Sequence, residues 1–164
     1  MNSYQGDGRA NEQLNLIAMH TIWMREHNRI AKALENLNPG WDDEKLFQES
    51  RRIVIAEYQH IIYNEWLPLI LGKSVMMLSG MMPIQSGYSD NSAFYSENFD
   101  PRVTNEFATA AFRFGHSLIP SKFMAVTHPK DRKGGQEKPL NEIFFQPQVF
   151  QNDNNKGMNW VLLI

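Results

Sequence analysis

The sequence predicts an all-α domain with long helices and long connecting loops. Apolar residues recur at spacings of three and four over two long stretches, as on one face of a helix. Residues that cap helix N-termini stand in front of the predicted helices. Alternating apolar and polar residues, which would indicate strands, are scarce, and only 144–150 is a weak candidate.

The first predicted helix covers 13–37. Its apolar face contains Leu16, His20, Trp23, His27, Ile30, Leu34 and Leu37. The turn residues Asn38, Pro39 and Gly40 follow it and cannot continue a helix.

The second predicted helix covers 43–63. Asp42 is a plausible N-cap, and Asp43 and Glu44 place negative charge at the positive end of the helix dipole. We expect this helix to end before Pro68, because a proline disfavours the helical conformation of the residue before it.

The third predicted helix covers 104–115, with Thr104 as its cap and Pro120 preventing extension. Mostly loop with a short turn of helix is expected over 73–100, a solvated loop over 126–139 and a short helix over 139–145. The predicted core includes Trp23, Ile30, Leu34, Phe47, Ile53, Ile62, Trp66 and Phe112.

Composition excludes several classes of function. The chain has 164 residues, of which 42% are hydrophobic and 21% charged, as in ordinary globular domains. A formal charge of −2 argues against a nucleic-acid partner, since phosphate binding needs a basic face. The absence of cysteine excludes disulfides and zinc thiolates within these residues. No apolar run reaches the roughly 20 residues that span a bilayer.

His116 is the histidine with the most suggestive setting. It follows Gly115 at the end of the aromatic stretch 107–114. A histidine beside phenylalanines, with a glycine that allows close approach, suits an axial haem ligand. From this pattern alone a hydrogen-bonded core histidine is the commoner structure. His20 and His27 are two helical turns apart, which favours partly buried histidines over a metal-binding pair.

Arg9 and Glu12 form a second candidate pair. They are three residues apart at the start of a helix, so both can face one site. The alternative is a local surface pair that contributes little energy. The glycines before Arg9 lack the spacing and the Lys-Ser/Thr ending of a phosphate-binding loop.

Longer blocks of sequence carry a family resemblance. In order and spacing they resemble the animal haem peroxidases, and they read GDGRANEQ (6–13), MHT (19–21), REHNRIA (25–31), LNPGWDDE (37–44), QHIIYNEWLP (59–68) and FRFGHSLI (112–119). The resemblance implies a mainly helical fold, haem b with its iron as cofactor, and reduction of hydrogen peroxide with oxidation of small donors or halides. It also implies an extracellular or secretory-pathway location.

The resemblance assigns a role to individual residues. Arg9 falls on the family's distal catalytic arginine, and Glu12 on a glutamate that many members esterify to a haem methyl group. Gln13 stands where one branch has a methionine bonded to the haem, so that bond is not expected. Arg113 is placed near a haem propionate, and His116 on the proximal ligand of the iron.

The resemblance also implies that residues 1–164 are the central segment of a longer domain. The distal histidine that acts as general base, a second haem attachment and the calcium ligands would precede Arg9 in the family. The remainder of the domain is therefore an expected partner, and apolar surface around Phe112 and Phe114 is expected to be exposed. The alternative is a catalytically inactive peroxidase-like domain with a structural, adhesion or matrix role.

Overall fold

The computed structural model describes residues 7–87, 96–126, 136–148 and 159–161. Their contacts divide the chain into two compact units, one formed by 1–24 and 103–164 and the other by 25–102. The described residues are mainly helical, as predicted. None of the described helices has the length and apolar character needed to cross a bilayer.

The two long predicted helices are confirmed as α1 (Leu14–Leu37) and α2 (Asp43–Ile61). Asp42 caps α2, because its Oδ1 accepts a hydrogen bond from the backbone N–H of Lys45 at 2.8 Å. In the second unit the two helices meet at His27 and Phe47, whose ring centroids are 5.1 Å apart. The His27 Nε2 atom also hydrogen-bonds the carbonyl of Phe47 at 3.2 Å.

As an α-helix, α2 ends at Ile61 and so before Pro68, as predicted, but the chain remains helical past the proline, which was not expected. A π-helical turn (Ile62–Trp66) continues α2 and leads into α3 (Leu67–Leu71). Pro68 is tolerated because it lies in the first turn of α3, where its missing N–H needs no partner within the helix. Gly72, with a φ of 80°, separates α3 from α4 (Lys73–Leu78).

The third predicted helix is present but divided. Thr104 caps α5 (Asn105–Thr109), and a 3-10 helix (Ala111–Leu118) follows. The Nε of Arg113 donates to the carbonyl of Ala108 at 3.0 Å. That carbonyl would accept the N–H of residue 112 in a continuous α-helix, so the Arg113 side chain competes with α-helical geometry.

The described residues contain little sheet, as expected, but the small antiparallel sheet that is present was not located from the sequence. Strands β1 (Lys122–Val126), β2 (Gln136–Pro139) and β3 (Asn159–Val161) pair in the order β2-β1-β3. The weak candidate at 144–150 is instead a turn where it is described. Strands of three to five residues are too short to show a clear alternating pattern.

The loop predicted over 126–139 is also corrected where it is described, because β2 occupies its end; residues 127–135 lie outside the described part. The short helix predicted at 139–145 is reduced to a 3-10 turn (Leu140–Glu142).

The predicted core is confirmed in part. Ile30 is buried, while Trp23, Leu34, Ile53 and Ile62 are half-buried. Phe47, Trp66 and Phe112 are exposed, so their assignment to the core is wrong. Periodicity identifies the apolar face of a helix. It does not show whether other parts of the chain bury that face, and within the described residues these three side chains stay more than two-fifths exposed. The buried side chains of the first unit include Ala10, Gln13, Phe123 and Ile143, and those of the second Met76 and Ser50.

Candidate functional site

All four candidate residues lie in the first unit. Arg9 belongs to a 3-10 turn (Gly8–Asn11), and Glu12 follows it directly. Arg113 and His116 share the 3-10 helix Ala111–Leu118. Within the described residues, no hydrogen bond or ion pair joins either of the first two residues to either of the last two.

The guanidinium of Arg9 is paired with Asp7. Its Nε lies 3.0 Å from Oδ1 and its Nη2 2.8 Å from Oδ2, and its backbone N–H also donates to Oδ1 at 2.8 Å. These hydrogen bonds hold the pKa of the Asp7 carboxyl far below its ordinary value of 3.8. The pKa of Arg9 is raised, first by the hydrogen bond to Asp7 and then by the negative charge of Asp7; the charge of Glu12 adds less.

Glu12 is held through its backbone. Its N–H donates to the carbonyl of Arg9 at 2.9 Å, and its carbonyl accepts from the N–H of Phe145 at 2.9 Å. Its carboxylate makes no hydrogen bond or ion pair with any described residue. The carboxylate is therefore free to meet another group.

Gln13 has a role that sequence reasoning missed. Its side chain is 7% exposed, and its Oε1 accepts the N–H of Asn15 at 2.6 Å. That bond satisfies an N–H in the first turn of α1, which has no partner within the helix. A polar residue directly before the first apolar residues of a helix is the signal that could have indicated it.

His116 differs from the other described histidines. His20 bonds the carbonyl of Leu16 at 2.7 Å, His27 that of Phe47, and His60 the amide of Asn64. His116 is exposed, and its ring hydrogen-bonds no residue in the described ranges. The alternative of a hydrogen-bonded core histidine therefore does not hold for it here. His128 lies outside the described residues.

The surroundings of His116 are apolar and open. Phe112 and Phe114 are 62% and 46% exposed, which confirms the predicted exposed surface. The ring of Phe112 packs at a tilt on Phe107, with centroids 5.7 Å apart. A Cβ at Gly115 would meet nothing within 4 Å. No contact in this part of the chain requires glycine at position 115. The space beside Gly115 is open to an approaching group.

These groups fit a haem. The imidazole of His116 can ligate iron, and both terminal nitrogens of Arg113 can pair with a propionate. The Glu12 carboxylate has no partner in the part of the chain that the structure describes. The described residues contain no cluster of three or more His, Asp or Glu side chains that could bind a metal alone. An iron at His116 would therefore depend on the porphyrin for its other ligands.

A separate cavity in the second unit is lined by none of the candidate residues. Its volume is about 790 Å³, and the π-helical turn and the segment 80–84 line it. His60 lies on its wall, with Nδ1 3.1 Å from the Asn64 amide nitrogen.

Comparison with known proteins identifies close relatives over most of the chain. The family profile described as animal haem peroxidase matches residues 2–163. A chorion peroxidase of Drosophila melanogaster is 51% identical over 120 residues, which are 73% of this chain and 14% of the relative. A human peroxidasin homolog is 42% identical over 157 residues, which are 96% of this chain and 10% of the relative. The chain thus spans a small part of each.

A solved structure agrees with the sequence comparisons. Peroxidase A from Dictyostelium discoideum superposes with a TM-score of 0.66 at 34% identity, over 89% of this chain and 25% of that chain. The mainly helical architecture and the sequence therefore lead to one conclusion. The chain belongs to the animal haem peroxidase family.

Proposed function

We propose that this chain forms part of the haem pocket of a peroxidase that reduces hydrogen peroxide and oxidises a small donor or a halide. The observation that carries the proposal is the imidazole of His116. It is exposed, has no hydrogen-bond partner among the described residues and lies beside phenylalanines, in a chain that matches the family. The cofactor is haem b, which when bound supplies the redox-active iron. His116 is its ligand from this chain.

Two further residues hold the cofactor in this proposal. Arg113 uses its Nε to bind the Ala108 carbonyl, which orients the guanidinium and leaves the terminal nitrogens for a propionate. Glu12 would be attached to the porphyrin by an ester, which would remove the cost of a buried unpaired carboxylate.

Arg9 acts on peroxide. A fixed guanidinium stabilises the negative charge that develops as the O–O bond breaks. Asp7 engages Nε and Nη2, so Nη1 remains to face the substrate and the orientation of the guanidinium is set. The general base that moves the peroxide proton is not among these residues. The proposal assigns it, together with the calcium site, to the remainder of the peroxidase domain, in an extracellular or secretory location.

One observation favours a second candidate function. The Arg9 side chain is 71% exposed and already paired with Asp7, as in an ordinary surface ion pair. A peroxidase-like domain without catalysis, in a structural, adhesion or matrix role, would tolerate that arrangement.

The effect of Arg9→Ala on the complete domain separates the two functions. Haem binding should persist, while the rate of reaction with peroxide should fall by roughly 100- to 1000-fold, the usual cost of losing one such donor. Arg102→Ala is the matched control, since Arg102 pairs with Asp100 in the same i, i+2 geometry. Stopped-flow absorbance measures both rates. Equal rates for Arg9→Ala and the wild type would remove Arg9 from the catalytic machinery.

A further inference from the structure

We propose that Phe145 is a positioning residue for Glu12: a strained turn far along the chain fixes the backbone from which the Glu12 carboxylate reaches the haem. This inference rests on the proposed function, because it takes Glu12 to be the point of attachment. It adds an element, the turn at 143–146, to which no role has been given.

The first observation is a hydrogen bond between distant parts of the sequence. The N–H of Phe145 donates to the carbonyl of Glu12 at 2.9 Å. On its other side the N–H of Glu12 donates to Arg9 at 2.9 Å. Glu12 is therefore fastened at both of its backbone polar groups. Its carboxylate has no partner among the described residues, so the position of the backbone limits the region that the carboxylate can reach.

The second observation is the conformation of Phe145. Its φ is 55°, and among the described residues it is the one residue other than glycine with a positive φ. That region is unfavourable for a bulky side chain and persists only where the surroundings impose it. Burial of the ring does not impose it, because the Phe145 side chain is 57% exposed.

Neighbouring contacts hold the strained turn instead. Ile143 is 2% exposed and anchors it in the core of the first unit. Leu140 donates its N–H to the carbonyl of Ser121 at 2.8 Å, and Ile143 donates to Leu140 at 3.1 Å. Gln146 donates to Ile143 at 3.3 Å. The burial of Ile143 and these hydrogen bonds offset the strain. They hold the N–H of Phe145 where it donates to the carbonyl of Glu12.

Formation of the ester between Glu12 and the haem depends on where the Glu12 carboxylate lies. Ester formation joins a carboxyl oxygen to a methyl carbon: the acid and the methyl group each lose one hydrogen, and hydrogen peroxide is reduced to two waters. The methyl carbon is thereby oxidised by two electrons. Such a bond forms only where the oxygen is held close to one carbon, so a displaced Glu12 backbone should lower the yield.

The test compares variants of the complete domain by the fraction of haem that acidified organic solvent fails to extract. All variants are made in a background in which the second haem attachment expected upstream of Arg9 has been removed, and wild type below refers to that background. Phe145→Val keeps the N–H and an apolar side chain, but a β-branched residue resists positive φ. We expect it to bind haem with the wild-type absorbance spectrum and to lose most of the acid-resistant fraction. Phe145→Gly adopts positive φ freely and should retain that fraction. Phe144→Val is the matched neighbour control and should also retain it.

A second variant keeps the test decisive if Phe145→Val does not fold. Ile143→Val shortens the buried anchor by one methylene and should lower the acid-resistant fraction at unchanged haem content. Wild-type extraction behaviour in both Phe145→Val and Ile143→Val would overturn the inference while leaving Glu12 as the attachment point. Haem that is fully extractable from the wild-type domain would overturn the role of Glu12 as well.

Discussion

At the scale of single residues, the ion-pair partner of Arg9 determines how its guanidinium group is oriented. Spacing predicted that Arg9 and Glu12 could face one site, but the guanidinium bonds Asp7. Asp7 caps the 3-10 turn through the backbone N–H of Arg9 and binds the side chain of the same residue. One carboxylate therefore fixes both the turn and the cation, and it remains ionised far into the acid range.

A pH dependence follows from the lowered pKa of Asp7. Because the folded-state value is depressed, the ion pair contributes stability above the ordinary pKa of 3.8, and that stability is lost as the pH falls through the lower folded-state value. The difference in unfolding free energy between the wild-type chain and Asp7→Asn should thus be present at neutral pH and shrink in acid. Denaturant titrations over a pH series measure it.

Asp100→Asn provides the comparison for that series. Its pKa is also lowered, mainly by its hydrogen bond to Arg102, so it should show the same sign of pH dependence. A difference for Asp7→Asn that grew as the pH fell would contradict the account.

The sequence could nominate candidate residues for the chemistry, but not all the residues that position them. His116 and Arg9 were candidates because of the glycine, aromatic and charged residues near them, and the family resemblance assigned their proposed roles. The bond from Phe145 to Glu12 was not, because it joins distant parts of the chain and the strain at Phe145 exists only in the folded turn. The interpretation of Gln13 concerned only the methionine that one branch of the family has at this position. The hydrogen bond that the Gln13 side chain accepts from the N–H of Asn15 was missed.

At the scale of elements, long periodic helices were predictable and short elements were not. The bounds of α1 and α2 follow from periodicity and from the cap at Asp42. The division after α5 depends on a side chain that takes a backbone carbonyl, which periodicity does not reveal. Strand β1 needs partners from β2 and β3, whose pairing is a property of the folded chain.

Burial predicts which aromatic residue of the first unit supports these elements. Phe123 of β1 is 3% exposed, whereas Phe112 is 62% exposed. In the 164-residue chain, Phe123→Ala should lower the unfolding free energy by about 3–5 kcal/mol, the usual cost for a buried phenylalanine. Phe112→Ala removes the same atoms from an exposed position and should cost much less. Similar losses in denaturant titrations of the two variants would refute the assignment of Phe123 to the core.

At the scale of the whole molecule, the exposed apolar surface is the prominent property. Large hydrophobic side chains such as Leu69, Leu78, Phe99 and Leu118 are more than two-thirds exposed in the described structure. Where such side chains adjoin, contiguous exposed apolar surface usually marks a site of contact with a partner or a ligand. The chain also covers 25% of the matched solved peroxidase, so in that protein most of the structure lies outside the matched region.

The 164-residue chain should accordingly bind an apolar dye and show at most feeble peroxidase activity. Dye fluorescence reports the uncovered surface, and the low activity follows because no general base for the peroxide proton is assigned to these residues. A cooperative monomer that bound no dye would show that these side chains are covered without a partner.

The haem content of the complete domain after substitution of His116 tests the central claim most directly. His116→Ala should lose the Soret absorbance of bound haem, and added imidazole should restore it by replacing the missing ligand. His60→Ala removes a histidine that already bonds Asn64 and should keep the wild-type spectrum. A His116→Ala domain with wild-type haem content and an unchanged Soret band would contradict the assignment of His116 as the ligand of the iron.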